Sequence, residues 1–474
     1  MSQQKLEYLL ENLPSKTVKR FARDLEKSTR QREKMLAATL RLIRRGTVES
    51  AEIYRQIYPK KPFSEKHIRN LRSDLVQRLI DAVTLDALRD SDEWELYRYR
   101  ALRQLGVNKY LPNLEAKAER KLARQPVSLE RLELADLWAR ERITAQLQRE
   151  GRRAITYAHY VAGLEATFAA KRLYSALGQQ ERNRIIDGRS ARPDSALLAL
   201  LQREIQAGKW SDSPLIQTCS ALLDQRGDPT PAQRARVKAH LTQYAATFAR
   251  PLAYSLYLVA INHCTRAANA GATGALREMH HFFREMLAKG IFSDYQYLDP
   301  ILFNTMVKVG LRTGEYAWTE HLIVDHAAHL PPEQAAVFQA HSLGLLAYAQ
   351  GDWGTAEPHF NRAIHLNQDP FLGLDIRSYL LRIYYETGDD IGAESLVHSF
   401  RLYLYRYQHL APPRLRIYQE FVRLYRRLIT LTPDHPAQLA ELREAVVQSP
   451  MNVARHWFLE KIAALAHGKD RSRT

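Results

Sequence analysis

Between Arg401 and Arg427, arginine and tyrosine interleave at close range: Arg401, Tyr403, Tyr405, Arg406 and Tyr407, then, past Pro412 and Pro413, Arg414, Arg416, Tyr418, Phe421, Arg423, Tyr425, Arg426 and Arg427. Guanidinium groups hold phosphates and aromatic faces stack bases, so the run has the composition of a single-stranded nucleic-acid groove. Ile417, Phe421, Leu424 and Leu428 also recur at helical spacing, which reads equally as a packed helix with Phe421 and some tyrosines inside and arginines snorkelling outward. A second cationic set, Lys60, Lys61, Lys66, Arg69 and Arg72, falls within thirteen residues around the expected start of a helix. The helix amino end adds partial positive charge there, so these five are candidate contacts for an acidic protein or a nucleic acid. Among them Arg72 lies closest to an apolar stripe, where it could pair with Glu65 or Asp74 instead.

Two weaker constellations invite metal chemistry. Glu278 and His281 stand three apart, which sets a carboxylate and an imidazole on adjacent helical turns. A two-metal carboxylate site needs that motif twice with two further carboxylates, and no second copy is present. Glu320, His321, Asp325, His326 and His329 cluster, but at the spacing of no named site. No Gly-Lys-Ser or Gly-Lys-Thr phosphate loop, dinucleotide glycine fingerprint, His-Glu-x-x-His or Gly-x-Ser-x-Gly elbow occurs. The expectation is therefore no enzyme, no cofactor and no metal.

The elements that must carry these residues are helical. Twenty glycines in 474 residues are about 4%, against a usual 7% or so, and tight strand turns consume glycine. Apolar residues recur at three and four spacing, with almost no period-two alternation. The expected fold is all-α. The net charge of +17 is concentrated. Residues 1–80 hold 19 basic and 9 acidic side chains, and Arg401 to Arg427 hold 7 and 1. Something acidic is expected to dock at these two segments. No stretch reaches the 18 or more apolar residues of a membrane span, and two cysteines, Cys219 and Cys264, form no disulfide framework or zinc set. A cytoplasmic location without membrane contact follows as the expectation.

Three glycine-acid turns, Gly314-Glu315, Gly351-Asp352 and Gly388-Asp389, are spaced 37 residues apart. Around the middle one, Leu343, Gly344, Tyr348, Trp353, Ala356, Phe360, Ala363 and Pro370 form a pattern of small residues where two helices touch and a large aromatic in the groove between them. Ala356, Phe360 and Ala363, at i, i+4 and i+7, share one helical face. This pattern resembles the tetratricopeptide repeat, and Leu380, Tyr384, Gly388 and Ala393 keep the frame after it, as Gly314, Tyr316 and Pro331 keep it before. The resemblance covers roughly residues 301–400. The usual period is 34, so each unit carries about three extra residues.

It implies stacked antiparallel helix pairs, an α-solenoid whose concave face holds a partner protein or peptide. Gly271 to Glu285 and Tyr157 to Leu177 have the texture of further degenerate units. At the amino end, helices over Arg32–Arg45 and Ser50–Tyr58, a stiff Pro59-Lys60-Lys61-Pro62 turn, and a long helix capped by Ser64 and running to about Leu88 resemble a helix-turn-helix or winged-helix unit. Ile68, Leu71, Leu75 and Leu79 would be its buried stripe, with Lys66, Arg69, Asn70, Ser73 and Gln77 outward. The third helix is longer than a recognition helix and no wing follows. The expected organisation is a basic head (1–90), degenerate repeats (91–300), clearer repeats with capping helices (301–465) and a disordered tail (466–474). The expected function is a non-enzymatic adaptor; the alternative is a nucleic-acid-binding regulator using the head and the 401–427 run.

Overall fold

Leu6 of the first helix, Phe21 and Leu25 of the second, Leu36 and Leu40 of the third and Ile53 of the fourth are all buried against one long helix bearing Ile68, Leu71, Leu75 and Leu79. These are α1 (Ser2–Asn12), α2 (Ser15–Lys27), α3 (Gln31–Arg44), α4 (Ser50–Ile57) and the 26-residue α5 (Glu65–Asp90), and α5 touches all four of the others. The computed structural model describes residues 2–46, 49–150, 157–187, 196–223, 230–409, 412–449 and 453–467. The head thus contains five helices where the sequence indicated three. α1 and α2 escaped notice because each buries a narrow stripe inside a charged segment; in α2 it is Val18, Phe21 and Leu25 only. Ser64 occupies the N-cap position in extended conformation, but its hydroxyl makes no capping bond. The stripe of α5 is buried as the periodicity required.

Two compact units divide the chain, 1–168 and 169–474. The first also holds α6 (Trp94–Gln104), α7 (Leu111–Arg124) and α8 (Leu129–Glu150), with their own apolar cluster around Tyr99, Leu114 and Trp138. α9 (Ala158–Asp187) contains the boundary.

The second unit continues with α10 (Ala196–Gln206), α11 (Pro214–Leu223), α12 (Pro231–Tyr244), α13 (Arg250–Asn269) and α14 (Ala275–Ala288). After these come α15 (Pro300–Arg312), α16 (Tyr316–His326), α17 (Pro332–Ala349), α18 (Trp353–Leu366), α19 (Pro370–Thr387), α20 (Asp390–Arg406), α21 (Pro412–Ile429), α22 (Pro436–Gln448) and α23 (Arg455–Ala466). Helix makes up 82% of the described residues, far above the usual third, and no strand occurs among them. No described helix is long and apolar enough to cross a membrane. Cys219 and Cys264 are free and buried. Most of the tail, 468–474, lies outside the described residues.

The 37-residue period corresponds to one repeated helix-ending geometry. Gly314, Gly351 and Gly388 each take the left-handed backbone conformation (φ +79°, +76° and +70°) that only glycine adopts without strain. After each, the amide of the acidic residue donates to the carbonyl five residues back: Glu315 to Gly310, Asp352 to Ala347 and Asp389 to Tyr384, every one at 2.9 Å. Asp352 and Asp389 then cap the following helices by accepting from the Thr355 and Gly392 amides.

Residues 37 apart share their environments as well. Thr319, Ala356 and Ala393 are buried, and one turn on so are Ile323, Phe360 and Val397. Gly344 is required by contact: a β-carbon there would lie 2.9 Å from the Phe360 ring. Ala363 is buried beside Phe360, while Leu343 is half-buried. Consecutive helices pack through α15–α22, and α15 also touches α17, as α19 touches α21. α13 and α14, joined through Gly271, form an earlier packed pair.

Several charged groups inside this unit are paired. Arg382, buried, lies 3.8 Å from the Tyr379 ring and 5.2 Å from that of Tyr348. α23 packs back on α19 and α21: Trp457 stacks with Tyr425, meets Tyr385 edge-on and donates its indole N–H to Glu386 at 2.6 Å, while Lys461 pairs with the same carboxylate at 2.9 Å.

Candidate functional site

α20 and α21 sort the arginine-tyrosine run by face. On α20, Ala393, Val397, Phe400 and Leu404 point into the core, leaving Glu394, His398, Arg401, Leu402 and Tyr405 outside. On α21, Leu415, Tyr418, Phe421, Val422, Leu424, Tyr425 and Leu428 are buried, and Arg416, Gln419, Arg423 and Arg426 are exposed. The periodicity of Ile417, Phe421, Leu424 and Leu428 therefore marks core, apart from the half-buried Ile417, with cations outward. Between the two outer faces runs a groove of two adjoining depressions of about 590 Å³ each. His398, Arg401, Arg423 and Arg426 line both; Leu402 and Tyr405 flank one, and Glu394 and Arg427 the other.

The charge in this groove is incompletely neutralised. Arg423 forks onto Glu420 through two bonds of 2.8 and 2.6 Å, and each raises or lowers the other accordingly: the bond holds the Glu420 carboxyl below its ordinary range and pushes the Arg423 guanidinium up. Arg427 comes within 3.9 Å of Glu441. Arg401, Arg416 and Arg426 form no ion pair with a described carboxylate. Arg406, also exposed, lies near Arg377 rather than an acid. Of Arg414 only the backbone is described.

The tyrosines are largely committed elsewhere. Tyr403 and Tyr407 pack on one another at 4.7 Å, with the Arg377 guanidinium 3.8 Å from the Tyr403 ring. Tyr425 donates to the Leu381 carbonyl at 2.6 Å, and Tyr418 is buried. Tyr405 alone of the five is freely displayed, at 71% exposure.

The head presents a second cationic surface. Lys60, Lys61, Lys66 and Arg69 are exposed in the turn before α5 and on its first two turns. Lys61 lies 5.6 Å from the Tyr58 ring, and Phe63, half in solvent, packs edge-on against Tyr54. Arg72 does not belong to this surface. It is 5% exposed and donates to the Ser50 hydroxyl at 2.8 Å; burial lowers its pKa, and the charge of Glu7 opposes that. One position beyond Leu71 on the buried stripe, it faces α4 rather than solvent and bonds the Ser50 hydroxyl, with the charge of Glu7 acting on it.

No family model, curated protein or solved structure matches the chain.

The first metal constellation is engaged in other contacts. Glu278 accepts from buried Arg234 at 2.7 Å, His280 meets Trp318 edge-on at 4.4 Å, and His281 lies 3.7 Å from Glu285. The rings of His326 and His329 stand 5.6 Å apart, and no group of three metal-ligating side chains occurs among the described residues. Sequence reasoning passed over His398, Leu402 and Gln408 of the groove. Their helical offset from Arg401 and Tyr405 was the available signal.

Proposed function

We propose that this chain is a non-enzymatic adaptor, a tetratricopeptide-like solenoid whose stacked helix pairs hold a segment of a partner protein. The observation that carries this reading is the superposable turn at Gly314, Gly351 and Gly388, with its identical 2.9 Å hydrogen bond and matching buried positions. A unit repeated in both backbone and packing cannot bury its apolar face alone, and stacking repeats creates extended surface suited to extended ligands. The contacts between alternate helices, α15 with α17 and α19 with α21, support the same stacking. Two buried free thiols fit a reducing compartment such as the cytoplasm.

A second reading, nucleic-acid binding, is favoured by the four exposed cations of the head beside Tyr58 and Phe63. Peptide-display selection on the full-length protein separates the two. Enrichment of a related peptide family supports the adaptor. No enrichment, together with oligothymidylate binding that weakens steeply as salt rises, supports the alternative.

A further inference from the structure

We infer that the α20–α21 groove receives the partner, and that its ligand is a short acidic peptide segment in which carboxylates alternate with aliphatic side chains. This rests on the adaptor reading and names its surface and partner chemistry. Three features define the ligand. The first is charge. Arg401, Arg423, Arg426 and Arg427 line the groove, and of these only Arg423 and Arg427 form an ion pair with a described carboxylate. Glu394 is the single acid among the lining residues. Arg401 and Arg426 therefore offer guanidinium forks that no described carboxylate pairs with, and the Arg423–Glu420 pair displays the two-bond geometry that a ligand carboxylate would adopt on them.

The second feature is apolar surface. Leu404 and Val422 are buried beneath the groove, and on its rim Leu402 and Tyr405 are 58% and 71% exposed. Two large apolar side chains held in water beside a basic groove are covered by a ligand that carries aliphatic groups between its acids. The groove's volume suits a few side chains of such a segment.

The third feature decides against a nucleic-acid strand. A single-strand groove stacks successive bases on successive aromatic faces. Here Tyr403 and Tyr407 are occupied with each other and with Arg377, and Tyr418 and Tyr425 are in the core, so of the five tyrosines only Tyr405 offers a stacking face. The interleaved sequence pattern that evokes nucleic acid is mostly consumed by folding, and what reaches the groove is arginine, aliphatic carbon and, of the tyrosines, Tyr405.

The test is peptide-display selection with random short peptides on the full-length protein and on Arg401→Glu/Arg426→Glu. Arg401→Gln/Arg426→Gln serves as the gentler variant, and circular dichroism checks the fold of both. Peptides rich in Glu or Asp and Leu are expected to be enriched on the parent. Titrated by fluorescence anisotropy, the enriched peptide should bind the charge-reversed variant about tenfold or more weakly. Arg312→Glu, an exposed arginine on α15 outside the groove, should bind it as the parent does. Enriched peptides that lack acids, or that bind both groove variants normally, would overturn the groove assignment while leaving the adaptor reading intact. Absence of any enriched family would overturn both. Oligothymidylate binding lost in the groove variants would replace the peptide with a nucleic acid.

Discussion

Lys308 of α15 donates to Asp375 of α19 at 2.6 Å, and His341 of α17 lies 3.7 Å from the same carboxylate oxygen. One oxygen thus gathers the first helices of three consecutive pairs. Burial alone would raise the Asp375 carboxyl; the charge and hydrogen bond of Lys308, with His341 adjacent, outweigh it and hold the pKa below its ordinary value. Truncating Lys308 to Ala leaves a buried carboxylate short of its counterion, at an expected cost of about 1–3 kcal/mol by chemical denaturation. Asp375→Asn added to that variant should recover part of the loss. Additive losses in the double variant would mean that the pair is not coupled.

The same cluster sets an acid limb. Burial pushes His341 down to about 4, with Lys308 adding to the shift and Asp375 opposing it. Between its ordinary 6.5 and about 4 the unfolded chain takes up a proton on His341 that the folded chain refuses, so stability falls as pH falls through that window. Asp375 adds in the same direction below the carboxylate range, since its folded pKa is also depressed. Denaturation midpoints measured across pH should decline less steeply between about 6.5 and 4 in His341→Gln. An unchanged slope would show that other groups govern the limb.

Ala356 is fully buried where α17 meets α18, and Gly344 abuts the Phe360 ring. Ala356→Arg should destabilise by about 1–3 kcal/mol or more, from overpacking with a buried charge added. Gly344→Ala should cost in the lower part of that range, about 1 kcal/mol, because the ring must shift. Thermal unfolding matching the parent in both would contradict the frame assigned to this pair.

In the head, Lys60→Glu/Lys61→Glu/Lys66→Glu/Arg69→Glu should leave the circular dichroism unchanged, since all four side chains are exposed, and markedly weaken retention on an anionic matrix. Arg72→Ala should instead lower stability by about 1–3 kcal/mol, through loss of a buried, hydrogen-bonded cation. Unchanged retention in the quadruple variant would shift the head's charge excess to a merely solubilising role.

Helix class and turn positions were legible because period 3.6 and left-handed glycine are local properties: Gly314, Gly351 and Gly388 announce themselves without knowledge of the fold. What packs on what was not. Arg72 and Arg69 are three residues apart and chemically alike, yet one is buried against Ser50 and the other is exposed; helical spacing sets Arg72 beside the stripe, but only the position of α4 supplies its partner. Likewise Tyr405 and Tyr403 read as equals in the run, until Arg377 on the neighbouring helix occupies the second. α23's return to Glu386 joins residues 71 apart and leaves no periodic trace.

The most direct test of the adaptor account is a side-by-side anisotropy titration of the full-length protein with the display-selected peptide and with a single-stranded oligothymidylate, at low and raised salt. Saturable peptide binding that weakens only moderately at raised salt, with oligothymidylate binding weak and abolished there, is the predicted result. Tight oligothymidylate binding with a steep salt dependence, and no peptide binding, would contradict it.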